Sequence, residues 1–159
     1  MVKLATMIYL LKEDGVLFLE RRKENDTVHK QGMHIPMGGK VEKGESAEDC
    51  IKRESLEESG IKVNSVELKG IIYFREFGDT ADDWIDYIYT SKDFQGEPQD
   101  GYEGNFMWVK QNDFNKLNLY EGDKVFIDYI FNKKYKFFAV EFRYDKFELK
   151  ETKLLFAAT

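Results

Sequence analysis

Apolar and polar positions alternate along several stretches of the chain, and this period of two predicts β-strands. Two apolar segments at residues 2–11 and 15–20 flank Glu13-Asp14-Gly15, a turn signal that predicts a β-hairpin. The remaining predicted strands, in chain order, are residues 66–76, 84–89, 106–109, 136–143 and 147–154. We expect turns at Gly96-Glu97-Pro98 and, between the last two strands, at Tyr144-Asp145.

Two segments with helical spacing interrupt the strands. The first helix is predicted to begin after Ser46, because its hydroxyl is a typical N-cap and Asp49 follows three residues later. Gly60 predicts the end of this helix, and residues 122–131 form a second predicted helix. Residues 25–37 are polar and irregular, so we expect a loop there. Strands combined with two helices predict an α+β fold in which helices flank a mixed sheet.

Composition narrows the function classes. With 159 residues, 42% of them hydrophobic, the chain is long and apolar enough for a single domain over residues 1–159. The net charge of −6 disfavours a stable nucleic-acid partner, because phosphate contacts need Lys and Arg. Cys50 is the only cysteine, so no intramolecular disulfide can form, and we expect a cytoplasmic protein. The apolar runs are too short to predict a membrane partner, and a monomer or a small homo-oligomer is expected.

The first predicted helix carries an apolar stripe that becomes acidic one turn later. Its apolar members are Ala47, Cys50 and Ile51, and its acidic members are Glu54, Glu57 and Glu58. Like charges at this spacing destabilise a helix by roughly 0.2–0.5 kcal/mol per pair, and by more when they are partly buried. A divalent cation such as Mg²⁺, which prefers carboxylate oxygens, would offset this cost. The alternative interpretation is a solvated acidic face.

The acidic helix is part of a longer pattern. It consists of Gly39, five residues, Glu45, seven residues, Arg53-Glu54, and then Glu57-Glu58 and Gly60-Ile61. This pattern resembles the Nudix box, whose seven fixed positions would match by chance in such a chain about once in a million. Ser55 departs from the family, which usually has an aliphatic residue at this position, so we expect a small packing cost.

The resemblance implies a Nudix fold, in which a mixed sheet lies between helices in an α/β/α arrangement. It also implies hydrolysis of a pyrophosphate bond in a nucleoside diphosphate derivative with Mg²⁺, for which Mn²⁺ can substitute. The implied metal ligands are the carbonyl of Gly38 and the side chains of Glu54, Glu57 and Glu58. Glu57 is expected to be central to catalysis, and Arg53 is expected to pair with Glu45 and hold the loop against the helix.

One glutamate outside the box belongs to the expected site. The sequence Gly101-Tyr102-Glu103-Gly104 precedes a predicted strand, and residues 93–108 are similar to the matching part of the MutT-type oxidised-purine triphosphatases. By that similarity Glu103 is either a further metal ligand or the general base, and the alternative is an exposed loop acid. The resemblance to these enzymes extends over residues 4–147.

Basic residues near the box are candidate phosphate contacts. Lys40 follows the double glycine, and Arg21 and Arg22 lie at a predicted strand end that faces the same loop. Each of them either binds phosphate or is solvated, and Lys40 and Arg22 are the predicted substrate contacts. His29 and His34 are too few and too poorly spaced for a zinc site, so we expect them at the pocket mouth or in solvent.

Two further positions bear on recognition of the base. Ile35 stands where some family members have a polar residue that binds the base, and its side chain cannot make that hydrogen bond. Glu121 is the one acid in a loop where some members place two adjacent acids. Fewer hydrogen bonds to the base predict a permissive pocket.

Similarity to the MutT type predicts that a nucleoside triphosphate is cleaved to a monophosphate and pyrophosphate, with oxidised purine nucleotides such as 8-oxo-dGTP as candidates. The alternative substrates are a nucleotide sugar, a dinucleoside polyphosphate and a capped RNA end. A further alternative is a Nudix domain that binds nucleotide without cleaving it. Against this last alternative stands the complete set of motif residues, which are Glu45, Arg53, Glu54, Glu57 and Glu58.

Overall fold

The computed structural model describes residues 1–22 and 30–159, whose strands form a nine-stranded mixed sheet. The strands are β1 (Lys3–Lys12), β2 (Gly15–Arg21), β3 (His34–Ile35), β4 (Met37–Lys40), β5 (Lys62–Phe77), β6 (Asp82–Gln95), β7 (Gly104–Lys110), β8 (Phe137–Lys146) and β9 (Glu148–Ala158). Their order is β3-β2-β1-β6-β5-β8-β9, with β4 paired to β1 and β7 paired to β2. Because β1 pairs in parallel with β6 and antiparallel with β4, the sheet is mixed, as predicted.

The helical elements are α1 (Ala47–Ser59), a 3₁₀ turn (Gln111–Lys116), α2 (Glu121–Ile127) and a π-helical turn (Asp128–Asn132) that continues α2. Both predicted helices are therefore present, although the second one changes its winding halfway along. None of the helices in residues 1–22 and 30–159 is long and apolar enough to cross a membrane.

Strand β1 divides the core into two parts, because successive side chains of a strand point to opposite faces. Ile8 and Leu10 pack with Ile51 of α1 in one buried cluster. Tyr9 lies between them in sequence and packs with Phe126 of α2 in the other cluster. The two helices thus cover opposite faces of the sheet, which confirms the predicted α/β/α arrangement.

Local signals fix both ends of α1. The hydroxyl of Ser46 accepts a hydrogen bond from the backbone N–H of Asp49 at 3.0 Å, as expected for an N-cap. Gly60 ends the helix at φ 81°, a left-handed conformation that glycine adopts without strain. Ser55 is fully buried, and its hydroxyl donates to the carbonyl of Ile51 at 2.7 Å. The unusual serine is therefore accommodated by a hydrogen bond within its own helix.

The boundaries of four predicted elements were wrong. The expected loop at residues 25–37 contains β3 and the start of β4, while residues 23–29 lie outside the described part of the chain. Strands β5 and β6 extend well beyond the predicted segments. The terminal hairpin turns at Lys146 and Phe147, because Tyr144 is buried within β8 and its hydroxyl accepts the N–H of Gly122 at 2.7 Å.

Candidate active site

The double glycine of β4 brings the backbone against the acidic end of α1. A Cβ added at Gly38 would collide with the backbone carbonyl of Thr6, so only glycine allows this close approach, and a Cβ added at Gly39 would meet the carboxyl group of Glu54. The backbone of Gly38 forms a hydrogen bond with the carboxyl group of Glu58. Strand β4 and helix α1 are thus held together at the residues that the motif predicts to bind metal.

Arg53 organises the loop and the helix as predicted. Its Nε and Nη2 atoms donate to the two carboxylate oxygens of Glu45 at 3.0 and 2.8 Å, a bidentate pair. Nη2 also donates to the carbonyl of Lys40 at 3.2 Å. The hydrogen bonds from Arg53, followed by the backbone hydrogen bond at Glu42, lower the pKa of Glu45 to about 2. The pair therefore stays ionised and fastens the loop to α1 across the neutral pH range.

Arg53 also contacts two of the predicted metal ligands. Its Nη1 atom lies 2.9 Å from Oε1 of Glu54 and 3.2 Å from Oε2 of Glu57. In this arrangement no three acidic, histidine or cysteine side chains of the described residues converge on a point suited to a metal ion. The side chain of Glu57 is 60% exposed, so it can rotate away from Arg53 without disturbing the core.

Glu58 and Glu103 approach each other from different parts of the chain. Burial, followed by the negative charges of Glu103 and Glu54, raises the pKa of Glu58 to about 9. Its Oε2 atom is buried and has no hydrogen-bond partner within the part of the chain that the structure describes. The loop of Glu103 is fastened to the end of β2, because the Glu103 carbonyl accepts the N–H of Arg22 at 2.9 Å. A divalent cation between these hard oxygen donors would offset both the burial and the repulsion, so the residues fit such an ion.

A cavity of about 490 Å³ opens beside the double glycine, and Gly38 and Gly39 are part of its lining. Its walls are largely apolar or aromatic, as in many pockets for small molecules. The aromatic wall residues are Phe74, Phe77, Trp84, Tyr120 and Phe147. A larger groove of about 920 Å³ near Gly15 and Lys110 does not include the double glycine among its described lining residues, so we place the site at the smaller cavity.

The predicted substrate contacts lie in different environments. Ile35 lines the cavity. Lys40 places its Nζ atom 5.5 Å from the ring centre of Trp84, a cavity residue, so it lies at the cavity rim. Arg22 is 59% exposed and its guanidinium pairs with Glu20.

Glu121 is not among the described residues that line the cavity, and its contact with the base stays a prediction. Its Oε2 atom accepts the backbone N–H of Leu149 at 2.6 Å and so connects α2 to β9. His34 accepts the N–H of Asn118 at 2.9 Å through Nδ1, and with a side chain 13% exposed it is not in open solvent. His29 lies outside the described residues.

Two acids of the cavity were missed by the sequence analysis. Asp86 of β6 and Asp123 of α2 are both buried and both line the cavity. The available signal for Asp86 is its place in the otherwise apolar strand segment Trp84-Ile85-Asp86-Tyr87-Ile88-Tyr89. Asp123 lies two residues after Glu121, within the first turn of α2.

A mixed sheet between two helices, with a glutamate-rich helix end against a double glycine, defines the class of this chain as a hydrolase built on the Nudix fold. The NUDIX domain family model matches residues 1–130, and the chain belongs to that family.

Individual relatives agree with this assignment. An uncharacterized Nudix hydrolase of Bacillus subtilis, YvcI, is 28% identical over 128 residues, which cover 79% of this chain and 77% of the relative. The oxidized purine nucleoside triphosphate hydrolase of Mus musculus is 28% identical over 132 residues, covering 83% of this chain and 81% of the mouse protein. The crystal structure of a MutT protein from Bacillus halodurans superposes with a TM-score of 0.84 at 28% identity and covers 97% of this chain and 98% of that one.

Proposed function

We propose that this protein hydrolyses a nucleoside triphosphate to a nucleoside monophosphate and pyrophosphate in a reaction that requires Mg²⁺, for which Mn²⁺ can substitute. One observation carries the proposal: the carboxylate cluster and the cavity meet at Gly38 and Gly39. A nucleoside bound in the cavity would extend its phosphates across the double glycine toward Glu54 and Glu58. Oxidised purine nucleotides are included among the candidate substrates by similarity to the mouse relative.

The residues proposed to hold the metal are Gly38 through its carbonyl, Glu54, Glu57, Glu58 and Glu103. When bound, divalent ions neutralise phosphate oxygens and lower the pKa of water. The buried Oε2 atom of Glu58, which has no hydrogen-bond partner among the described residues, supports this role, since a metal ion would supply the missing partner. Glu57 leaves Arg53 by side-chain rotation to join the cluster.

The other motif residues position these ligands. Arg53 and Glu45 hold the loop before α1 against the helix and so fix the distance between β4 and the glutamates. Glu103 acts either as a ligand or as the base that accepts a proton from the attacking water. Lys40 at the cavity rim is the better supported phosphate contact, while Arg22 would have to leave Glu20 to reach phosphate.

A substrate panel tests the proposal. Purified protein with Mg²⁺ is incubated with nucleoside triphosphates, nucleotide sugars and dinucleoside polyphosphates, and monophosphate and pyrophosphate are quantified. We expect both products in equal amounts from triphosphates. Turnover of the nucleotide sugars alone would contradict the proposed substrate class, and tight nucleotide binding without any turnover would make the protein a binding domain.

A further inference from the structure

Strand β9 leaves one edge of the sheet open. It is the last strand in the order of the sheet and, within residues 1–22 and 30–159, it pairs with β8 alone. Three consecutive apolar residues of this strand, Leu154, Leu155 and Phe156, are 42%, 58% and 55% exposed. An open edge presents backbone N–H and C=O groups to a further strand, and exposed apolar side chains beside it indicate an interaction surface.

Two irregularities limit how much of β9 can pair with another strand. The register with β8 shifts between Leu149 and Glu151 and again between Leu154 and Phe156, so Lys150 and Leu155 are the extra residues of two bulges. Between the bulges, residues 151–154 pair regularly with β8. Because bulges interrupt pairing, a strand added to the open edge would be centred on this regular segment.

The regular segment carries opposite charges on one face of the sheet. Lys153 lies opposite Glu141 of β8 with an ion-pair distance of 4.0 Å, and Glu151 lies opposite Arg143 at 3.5 Å. Lys153 and Glu151 share this face because they are two residues apart in a strand. Their side chains are 57% and 52% exposed, so each can meet a second opposite charge across the open edge.

An antiparallel copy of β9, related by a two-fold axis at Thr152, supplies those charges. Residue 151 of each copy then lies opposite residue 153 of the other, so Glu151 meets Lys153 twice. The charged row across the joined edge then alternates in sign, through Glu141 and Lys153 of one copy and Glu151 and Arg143 of the second copy. Moving the axis to Glu151 or to Lys153 would place like charges opposite each other, which destabilises a strand pair.

Apolar side chains flank the charged centre in the same register. The axis at Thr152 brings Leu155 beside Leu149 of the second copy, and Leu154 beside the aliphatic part of Lys150. Contact between these exposed side chains removes apolar surface from water, which favours association. Since the charges of the regular segment cancel, it offers no basic surface to a nucleic acid or an anionic membrane, and its self-matching charges favour a second copy.

We propose that the protein forms a two-fold symmetric homodimer in which β9 pairs antiparallel with β9 of a second copy, with Thr152 at the axis. The dimer goes beyond the proposed function, because it uses the open edge of the sheet and neither the cavity nor the carboxylate cluster.

The molar mass in solution tests the dimer. Light scattering and sedimentation equilibrium at about 100 µM chain should give twice the chain mass of 18.8 kDa. Thr152→Cys adds an exposed cysteine to a chain whose only other cysteine, Cys50, is buried. Mild oxidation of this variant should therefore link two chains through position 152, where the two copies meet at the axis.

Charge reversals test the register. Glu151→Lys and Lys153→Glu each place like charges opposite each other twice, so we expect the dissociation constant of the dimer to rise about tenfold or more in either variant. In an equimolar mixture, a heterodimer of the two variants regains both opposite-charge contacts and should associate about tenfold more tightly than either variant alone. Lys150→Glu makes the same charge change on the same strand, opposite uncharged Leu154, and is the matched control that should dimerise as the wild type does. Thermal unfolding verifies that each variant is folded.

Three outcomes would overturn the proposal. A wild-type protein with the mass of one chain refutes the dimer, and if that protein sediments with phosphatidylcholine vesicles, the exposed apolar side chains belong to a membrane contact. A dimer that both charge reversals leave intact uses another surface. A mass that grows beyond two chains with concentration contradicts a closed, two-fold pairing of β9.

Discussion

Arg53 is the side chain on which the arrangement of the glutamates depends. It holds Glu45 with two hydrogen bonds and contacts one oxygen each of Glu54 and Glu57. Its positive charge lessens the repulsion along the acidic face of α1, where Glu58 is more deeply buried than Glu54. The proposed metal binding would therefore require Glu54 and Glu57 to exchange their contacts with Arg53 for contacts with the cation.

We predict that Glu57→Gln lowers kcat by about 100-fold or more with the fold intact, because it removes an anionic ligand from an exposed position. Steady-state kinetics with Mg²⁺ and thermal unfolding measure the two effects. Glu48→Gln, at the other end of α1 and paired with Lys52, is the matched control and should retain wild-type kcat. A folded Glu57→Gln variant within threefold of the wild type contradicts the assignment.

We predict that Glu103 assists the chemical step and does not contact the nucleotide base. Glu103→Gln should lower kcat by about 10²–10⁴-fold and change KM little, the pattern expected when acid–base assistance is lost. The control is Glu97→Gln, an exposed glutamate before the same strand that pairs with Lys12. An unchanged kcat in Glu103→Gln would show that the loop acid has no catalytic part.

The sequence predicted the acids of α1 but not those of the cavity. Glu54, Glu57 and Glu58 share a helix, so their spacing alone places them on one side. Asp86 and Asp123 come together only when β6 packs beneath α2, and no local pattern contains that contact. Glu121, which was predicted to contact the base, accepts the backbone N–H of Leu149, another contact that no local pattern contains.

At the scale of elements, α1 was predicted most accurately because its limits are set by its own residues. Ser46 and Gly60 act within one turn of the helix. The short strands β3 and β4 were missed because they are defined by pairing with β2 and β1, and the two glycines of β4 give no strand signal. Pairing partners distant in sequence likewise fix where β8 ends.

Gly60→Ala is predicted to destabilise the protein by about 1–2 kcal/mol, because alanine is strained in the left-handed conformation that ends α1. A steric clash is not the reason, since the atom nearest to a Cβ added at Gly60 is 3.7 Å away. Gly101→Ala meets no atom within 4 Å and has no positive φ, so it is the matched control. Urea unfolding gives both free energies, and equal stabilities of the two variants would contradict this account.

At the scale of the whole molecule, the sheet brings together residues of the two helices that cover its opposite faces. Helix α1 supplies the carboxylates from one face, and α2 supplies Asp123 from the other. The edge of β4 lies between them with Gly38 and Gly39. This arrangement places the proposed metal ligands next to the cavity, with only two residues without side chains between them.

The buried acids should make stability depend on pH. The pKa of Asp86 is raised to about 7 from an ordinary value of 3.8, so its protonated form favours the folded state. That contribution is fully present below about pH 4 and is lost as pH rises through 7. In EDTA, the Tm of Asp86→Asn relative to the wild type should therefore rise between pH 5 and 8, by about 2 °C or more. A constant difference, or the same trend in Asp93→Asn, would argue against a buried, uncompensated Asp86.

The central claim is that the carboxylate cluster cleaves a triphosphate with the help of a divalent cation. The most direct measurement is release of monophosphate and pyrophosphate from a guanine nucleoside triphosphate after EDTA treatment, with and without added Mg²⁺. We expect no turnover in EDTA, recovery with Mg²⁺, and no recovery in Glu57→Gln. Full turnover in EDTA, or release of inorganic phosphate in place of pyrophosphate, would contradict it.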